Sequence, residues 1–340
     1  MVIGAALFVV IAAVLMAKLD PSSASQLDSN ALLRAQQAGA GAACAPAPSA
    51  SASASPGATA SPQPSATGGT AAPVIPPPDP NSPKPNAANT GPRYTTTRTL
   101  TASAALTELR AKKTLSRVKI TGGLTLNGAD GKGWVISDSI IESRGSTYAV
   151  KAYVDTAFSG RTSERPIFQN VEVRGAAVTG SGATSSLFYG SDTIWRRSEL
   201  YGGVDIFKLI DRVVIEDSYA YGLHHPDGAH ADIIQIREGR DSVIQRNTFS
   251  AIVGYGTNPG QNANAVLQTG SMTGPLTNVQ FVNNWVNGGN YILNVGDPGL
   301  GYMFAGNKFG RSFRYMAVMG STAGKSNGTN VWEDNGQKVF

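Results

Sequence analysis

All three histidines of this 340-residue chain, His224, His225 and His230, fall within seven residues of one another. Asp232, Gln235, Arg237 and Glu238 follow at once, in a chain of which only 15% is charged. Carboxylates can pass a proton or hold a hard cation through oxygen. Imidazole, ammonium and guanidinium groups can take a proton or neutralise a developing negative charge. The histidines also have the ligand type for zinc, but no helix or hairpin is there to fix them. Pro226-Asp227-Gly228 has turn chemistry, and Ile233, Ile234 and Ile236 form a β-branched run closed by Gly239. The cluster therefore sits where a loop runs into a strand.

What must position these groups is a repeat. From about Arg93 the chain is rich in Gly, Asn, Thr, Ser, Val and Ile, with one short helical candidate from Ser103 to Lys112 that puts Leu106 and Leu109 on one face. Two columns of strand-like runs recur. The first is Ser186-Leu-Phe-Tyr189, Asp205-Ile-Phe-Lys208, Asp232-Ile-Ile-Gln235, Ala265-Val-Leu-Gln268, Tyr291-Ile-Leu-Asn294 and Tyr315-Met-Ala-Val318. The second is Ile194-Trp-Arg-Arg197, Val214-Ile-Glu-Asp217, Ile244-Gln-Arg-Asn247, Phe281-Val-Asn-Asn284, Phe304-Ala-Gly-Asn307 and Val331-Trp-Glu-Asp334. A period of 19 to 33 residues with Gly and Asn at the corners describes a solenoid with rungs ~4.8 Å apart. Polar residues at the ends of the second column are expected to form an Asn/Asp ladder that satisfies buried corner backbone.

Aligning the first column brings Asp205 beside Asp232 and Lys208 beside Gln235. Tyr189, Gln268 and Asn294 extend the Lys208 row, a surface suited to an extended, hydroxyl-rich polymer, with His230, Arg237 and Glu238 at its middle. Strand alternation sets Asp232 and Gln235 on opposite faces unless the strand bends at its start.

The stretches Val243-Ile-Gln-Arg-Asn-Thr-Phe249 and His230-Ala-Asp-Ile-Ile-Gln235 resemble the coil and the H-x-D-x-I-Q signature of secreted actinobacterial β-helix proteins. Over about residues 95–340 the chain resembles a right-handed parallel β-helix of the pectate-lyase-like superfamily. The resemblance implies an all-β solenoid with the helix near Ser103 as its N-terminal cap. In that family the aspartate is usually followed by glycine; here Ile233 narrows the surface beside Asp232. The superfamily hosts lyases, hydrolases, epimerases, tailspikes and adhesins, so the fold does not choose among them. The Arg-x-Pro-x-x-Arg of common pectate lyases is absent, as is the Asn-Thr-Asp, Asp-Asp, Gly-His-Gly and Arg-Ile-Lys set of polygalacturonases.

The first functional expectation is a lyase acting on an acidic, uronate-containing polysaccharide. Its catalytic candidates are Lys208, His230, Asp232 and Arg237, with Tyr189, Gln235, Gln268 and Asn294 as substrate-binding residues. Asp205 and Asp232 could hold calcium, the one cofactor expected. A hydrolase would instead use Asp205 and Asp232 as paired carboxylates whose pKa values proximity forces apart. A non-catalytic glycan-binding or cell-surface protein would use the same polar row only for hydrogen bonds.

Composition divides the chain into residues 1–20, 21–92 and 93–340. Residues 2–17 are apolar or small, roughly 24 Å as a helix and short of the ~30 Å hydrocarbon core, which fits an export signal or signal anchor. Residues 21–92 form an Ala/Pro/Ser-rich linker with too little apolar bulk to offset its ordering entropy. Cys44, the only cysteine, excludes an intrachain disulfide. The net charge of +5 is scattered, without the basic stripe that nucleic acid needs. The expectation is an exported or surface-anchored monomer that meets a membrane only through its first residues.

Overall fold

The computed structural model describes residues 83–127, 130–152, 165–236, 239–269, 276–296, 301–320, 322 and 325–340. Residues 1–82, and with them the apolar segment and most of the linker, lie outside this set, as do Arg237 and Glu238. Among the described residues no helix is long and apolar enough to cross a membrane.

The described chain is dominated by short parallel strands in long stacked sheets, an arrangement consistent with a parallel β-helix. Three columns are visible where the sequence pattern suggested two. The first is an eight-stranded sheet running from Leu124–Leu126 through Ser186–Gly190, Asp205–Leu209, Asp232–Ile236, Ala265–Gln268 and Tyr291–Val295 to Met316–Gly320. The second contains Ile194–Arg196, Val214–Glu216, Val243–Gln245, Val279–Val282 and Tyr302–Ala305. The third contains Glu199–Tyr201, Tyr219–Tyr221, Thr248–Ala251, Trp285–Gly288, Lys308–Phe309 and Val331–Trp332. Val135–Glu142 and Ile167–Arg174 each serve both of the last two columns, bending at Asp138 (φ 46°) and Asn170 (φ 52°).

The register corrects the sequence alignment in three places. Val214 pairs with Val243 rather than Ile244, so the second column slips by one residue midway. Val331–Trp332 pairs with Lys308–Phe309 and belongs to the third column. Tyr291 faces Met316, not Tyr315, in the last strand of the first sheet. Short apolar runs of similar composition leave a one-residue slip open, and only the corner chemistry resolves it.

That chemistry lies between the second and third columns. Arg197, Asp217, Arg246 and Asn283 adopt left-handed backbone with φ between 46° and 57°, turning the chain. Each is followed by a member of the ladder Ser198, Ser218, Asn247, Asn284, all fully buried and continued by Asn307 and Asn330. The carbonyl oxygen of each ladder asparagine accepts the main-chain N–H of the residue one rung back: Asn247 from Ser218, Asn284 from Asn247, Asn307 from Asn284. Asp217 and Asp334 are outside this ladder. They take Arg246 and Arg311 at the surface instead.

Inward side chains fill the stack. Trp195 stacks on Phe168 at 4.2 Å and meets Phe188 and Phe207 edge-on, and Phe249, Phe281, Phe304 and Phe309 carry the core onward. The helix Ala102–Lys112 covers one end, burying Ala105 and Leu109; the Thr101 hydroxyl caps it by accepting from the Ala104 N–H. Packing on the sheets begins upstream of Arg93, where composition placed the boundary. Pro85, Thr90 and Gly91 are buried, because the segment 83–93 lies along the third column. Lys84 pairs with Glu333 at 2.6 Å, the Gly91 N–H donates to the Arg197 carbonyl, and Arg93 grips Asp138 with two guanidinium hydrogen bonds and a third from its main-chain N–H.

Candidate functional site

The first sheet brings the expected polar row together. Tyr189, Lys208, Gln235, Gln268 and Asn294 are paired in succession across five strands. Their positions alternate with buried Leu209, Ile236 and Val295, so each stands half-buried on the outer side. Lys151 adjoins Tyr189 at one end of the row and Met319 adjoins Asn294 at the other. Tyr148 stacks on Tyr189 at 5.1 Å, which gives that end an aromatic wall.

Asp205 and Asp232 lie at the starts of adjacent strands, and here the alternation fails. Ile206 and Phe207 are both buried, as are Ile233 and Ile234, so each strand bends as it leaves the corner. The bend brings the Asp205 Oδ2 to 2.9 Å from the Lys208 Nζ, while its Oδ1 accepts the Asp232 N–H at 2.9 Å. Asp232 Oδ1 accepts from the Asn264 amide at 2.8 Å, and that amide lies 3.4 Å from the Gln268 Oε1. Asp232 Oδ2 is buried without a close hydrogen-bond partner among the described residues, although the Ala265 main-chain N–H favours the charged carboxylate. Burial raises the pKa of Asp205, opposed chiefly by the Lys208 charge. Burial and then the Asp205 charge push Asp232 well above the ordinary carboxylate range. Like charges one rung apart in a dry corner cannot both ionise cheaply.

His230 is exposed and close enough to act electrostatically on Asp205. His224 and His225 lie apart, on the strand Leu223–His225 that pairs with Val253–Gly256, with the Nδ1 atoms of both buried and without hydrogen-bond partners among the described residues. Burial, with His225 beside it, lowers the pKa of His224. Arg237, expected in the cluster, lies outside the described residues.

These contacts bear on two of the expected chemistries. Asp205 is 2% exposed and Asp232 fully buried, each engaged with neighbours, whereas paired carboxylates that cleave a glycosidic bond must both reach the substrate. Calcium takes six to eight oxygens. One spare carboxylate oxygen beside an ammonium is a poor donor set for it. No group of three or more His, Cys, Asp and Glu with metal-holding geometry occurs among the described residues.

The raised Asp232 pKa makes stability depend on pH. The folded chain keeps the Asp232 proton where the unfolded chain has released it, so the folded state binds more protons over that interval. This contribution is complete below the ordinary carboxylate range and is lost as pH rises through the raised value. Asp232→Asn is expected to flatten the fall and to gain melting temperature over the parent as pH increases. Thermal melts at matched ionic strength check this; a variant that tracks the parent at every pH would sink it.

Sequence reasoning missed Asn264, which links Asp232 to the row, and it missed the third column entirely. There Glu172, Glu199 and Tyr219 pair in succession, and Arg174, Tyr201 and Tyr221 do so beside them. Tyr201 donates to Glu172, Tyr221 donates to Glu199 at 2.8 Å, and Arg174 makes two hydrogen bonds to Glu172. Burial raises the pKa of Glu199, which sits beneath Gly91. The available signal was the alternation in Glu172-Val-Arg174, Glu199-Leu-Tyr201 and Tyr219-Ala-Tyr221, where large polar side chains flank a small or apolar one.

No family model, curated protein or solved structure matches this chain.

Proposed function

We propose that the domain is a right-handed parallel β-helix of the pectate-lyase-like kind, exported as a monomer, that binds an extended uronate-containing polysaccharide along the outer face of the first sheet. The observation that carries this reading is the unbroken register Tyr189, Lys208, Gln235, Gln268, Asn294. Rungs about 4.8 Å apart repeat hydrogen-bonding groups at intervals comparable to a sugar unit. Lys208 supplies the cation for a uronate carboxylate, and the buried Asp205 beneath holds its ammonium in place. The acids thus organise the row from below, which favours the binding reading over paired-carboxylate chemistry.

Affinity electrophoresis of the full chain in gels containing polygalacturonate, alginate or neutral dextran tests it. Retention is expected in at least one acidic gel and not in dextran. Lys208→Gln should weaken that retention about tenfold, the scale of one charge-assisted contact. Equal mobility in all gels, or retention indifferent to Lys208→Gln and Gln268→Ala, would remove the reading.

A lyase is the second reading, favoured by exposed His230 beside the Asp205–Lys208 pair. Lys208 would neutralise the uronate carboxylate and His230 would take the C5 proton alpha to it. The freed electron pair forms the C4–C5 double bond as the C4–O4 glycosidic bond breaks, and the leaving O4 takes a proton from water. Ultraviolet absorbance of an unsaturated uronate product, followed with calcium and with chelator, decides between them. A rise abolished by His230→Ala assigns the base, and a flat trace leaves binding alone.

A further inference from the structure

The two buried acids of the first sheet each hold a hydrogen-bond donor of the outer row. Asp205 Oδ2 takes the Lys208 ammonium directly, at 2.9 Å. Asp232, one rung on, acts through an intermediary, Asn264. The main chain of Asn264 is fixed on both sides: its N–H donates to the Ala231 carbonyl at 2.9 Å, and its carbonyl accepts the Tyr291 N–H at 3.2 Å. Its side chain is thereby held between the buried corner and the row.

Asp232 is fully buried, so its carboxyl oxygen needs a donor, and that need decides which end of the Asn264 amide faces it. The nitrogen does, at 2.8 Å. An amide nitrogen carries two hydrogens. One serves Asp232, and the other is directed to Gln268 Oε1, 3.4 Å away. At that length the second contact biases the Gln268 amide rather than locking it. Gln268 stands half-buried on the outer side of the sheet. With its oxygen drawn back toward Asn264, its NH2 group is left for the open side. We infer, on the polysaccharide-binding reading of this row, that Asn264 is a positioning residue that turns the Gln268 amide outward as a donor. Lys208 and Gln268, two rungs apart, then both offer N–H to the carboxylates of an acidic polymer. The preference for an acidic chain is thus set from beneath by Asp205 at one position and by Asp232, through Asn264, at the other.

Hydrogen exchange of the side-chain amides tests the orientation in the 15N-labelled full chain without ligand, both signals being assigned by through-bond correlation. The Asn264 NH2 is expected to exchange at least about tenfold more slowly than that of Gln268. Equal rates, or the reverse order, overturn the inference. Affinity for a polygalacturonate or alginate oligomer tests the consequence. Asn264→Ala should weaken it about threefold to tenfold, yet change nothing further in a chain that already carries Gln268→Ala. The same loss in both backgrounds would mark Asn264 as structural and overturn its positioning role. If no acidic oligomer binds the parent, the reading of the row fails and the role of Asn264 with it. A reversed exchange order in a chain that does bind overturns that role alone.

Discussion

Replacing Asn284 with alanine is expected to lower the folding free energy by about 3–5 kcal/mol, although the side chain touches nothing outside the protein. Asn284 Oδ1 accepts from both the main-chain N–H and the side-chain amide of Asn247, at 2.9 and 3.0 Å. Its own amide donates to the Ile244 carbonyl at 2.9 Å and to Asn307 Oδ1 at 3.1 Å. Alanine strands an N–H, an amide and a carbonyl in a corner that water does not reach. Because the ladder residues bond to one another, the loss should exceed that of a single hydrogen bond. Guanidinium unfolding gives the number. A midpoint equivalent to less than about 1 kcal/mol of change would show that water or a shifted neighbour replaces the ladder.

Gly190→Ala is expected to cost about 3 kcal/mol or more, for a reason unrelated to polarity. Gly190 ends its strand with φ +143°, and a β-carbon there would stand 1.8 Å from the Ala152 carbonyl oxygen on the neighbouring strand. Either the rungs separate, breaking hydrogen bonds, or the backbone leaves its conformation. Gly133 is the control, with φ +68° and nothing within 4 Å of the added carbon. Gly133→Ala meets only the intrinsic left-handed penalty of about 1–2 kcal/mol. Similar losses in the two variants would mean that the close approach at Gly190 relaxes without cost.

The first sheet was legible because its strands carry two buried apolar residues followed by an outward polar one, as in Asp205-Ile-Phe-Lys208 and Asp232-Ile-Ile-Gln235. That pattern placed Lys208 beside Gln235, which the register reproduces. The third column escaped because its strands bury a single small or apolar residue, such as Leu200 or Ala220, between large amphipathic ones. A window three residues wide carries little periodicity, and tyrosine and glutamate do not suggest packing until they are seen to stack and pair. The bend at Asp205 was also out of reach. Alternation predicts opposite faces, and only burial of both Ile206 and Phe207 reveals the corner. The acids were thus correctly placed as neighbours but not recognised as the buried support of the row.

The segment 83–93 changes what kind of polymer this stack is. Columns of rungs that touch only their neighbours behave as a one-dimensional array, free to fray from either end. Here one strap ties an early rung at Asp138, a middle rung at Arg197 and the last strand beside Glu333, the final tie spanning 249 residues of chain. Loosening of the last rung then frees one end of a strap whose other end still holds Asp138 and Arg197. The exposed Lys84–Glu333 pair is worth at most about 1 kcal/mol, so the strap lends the last strand a modest share of the stability of the rungs before it.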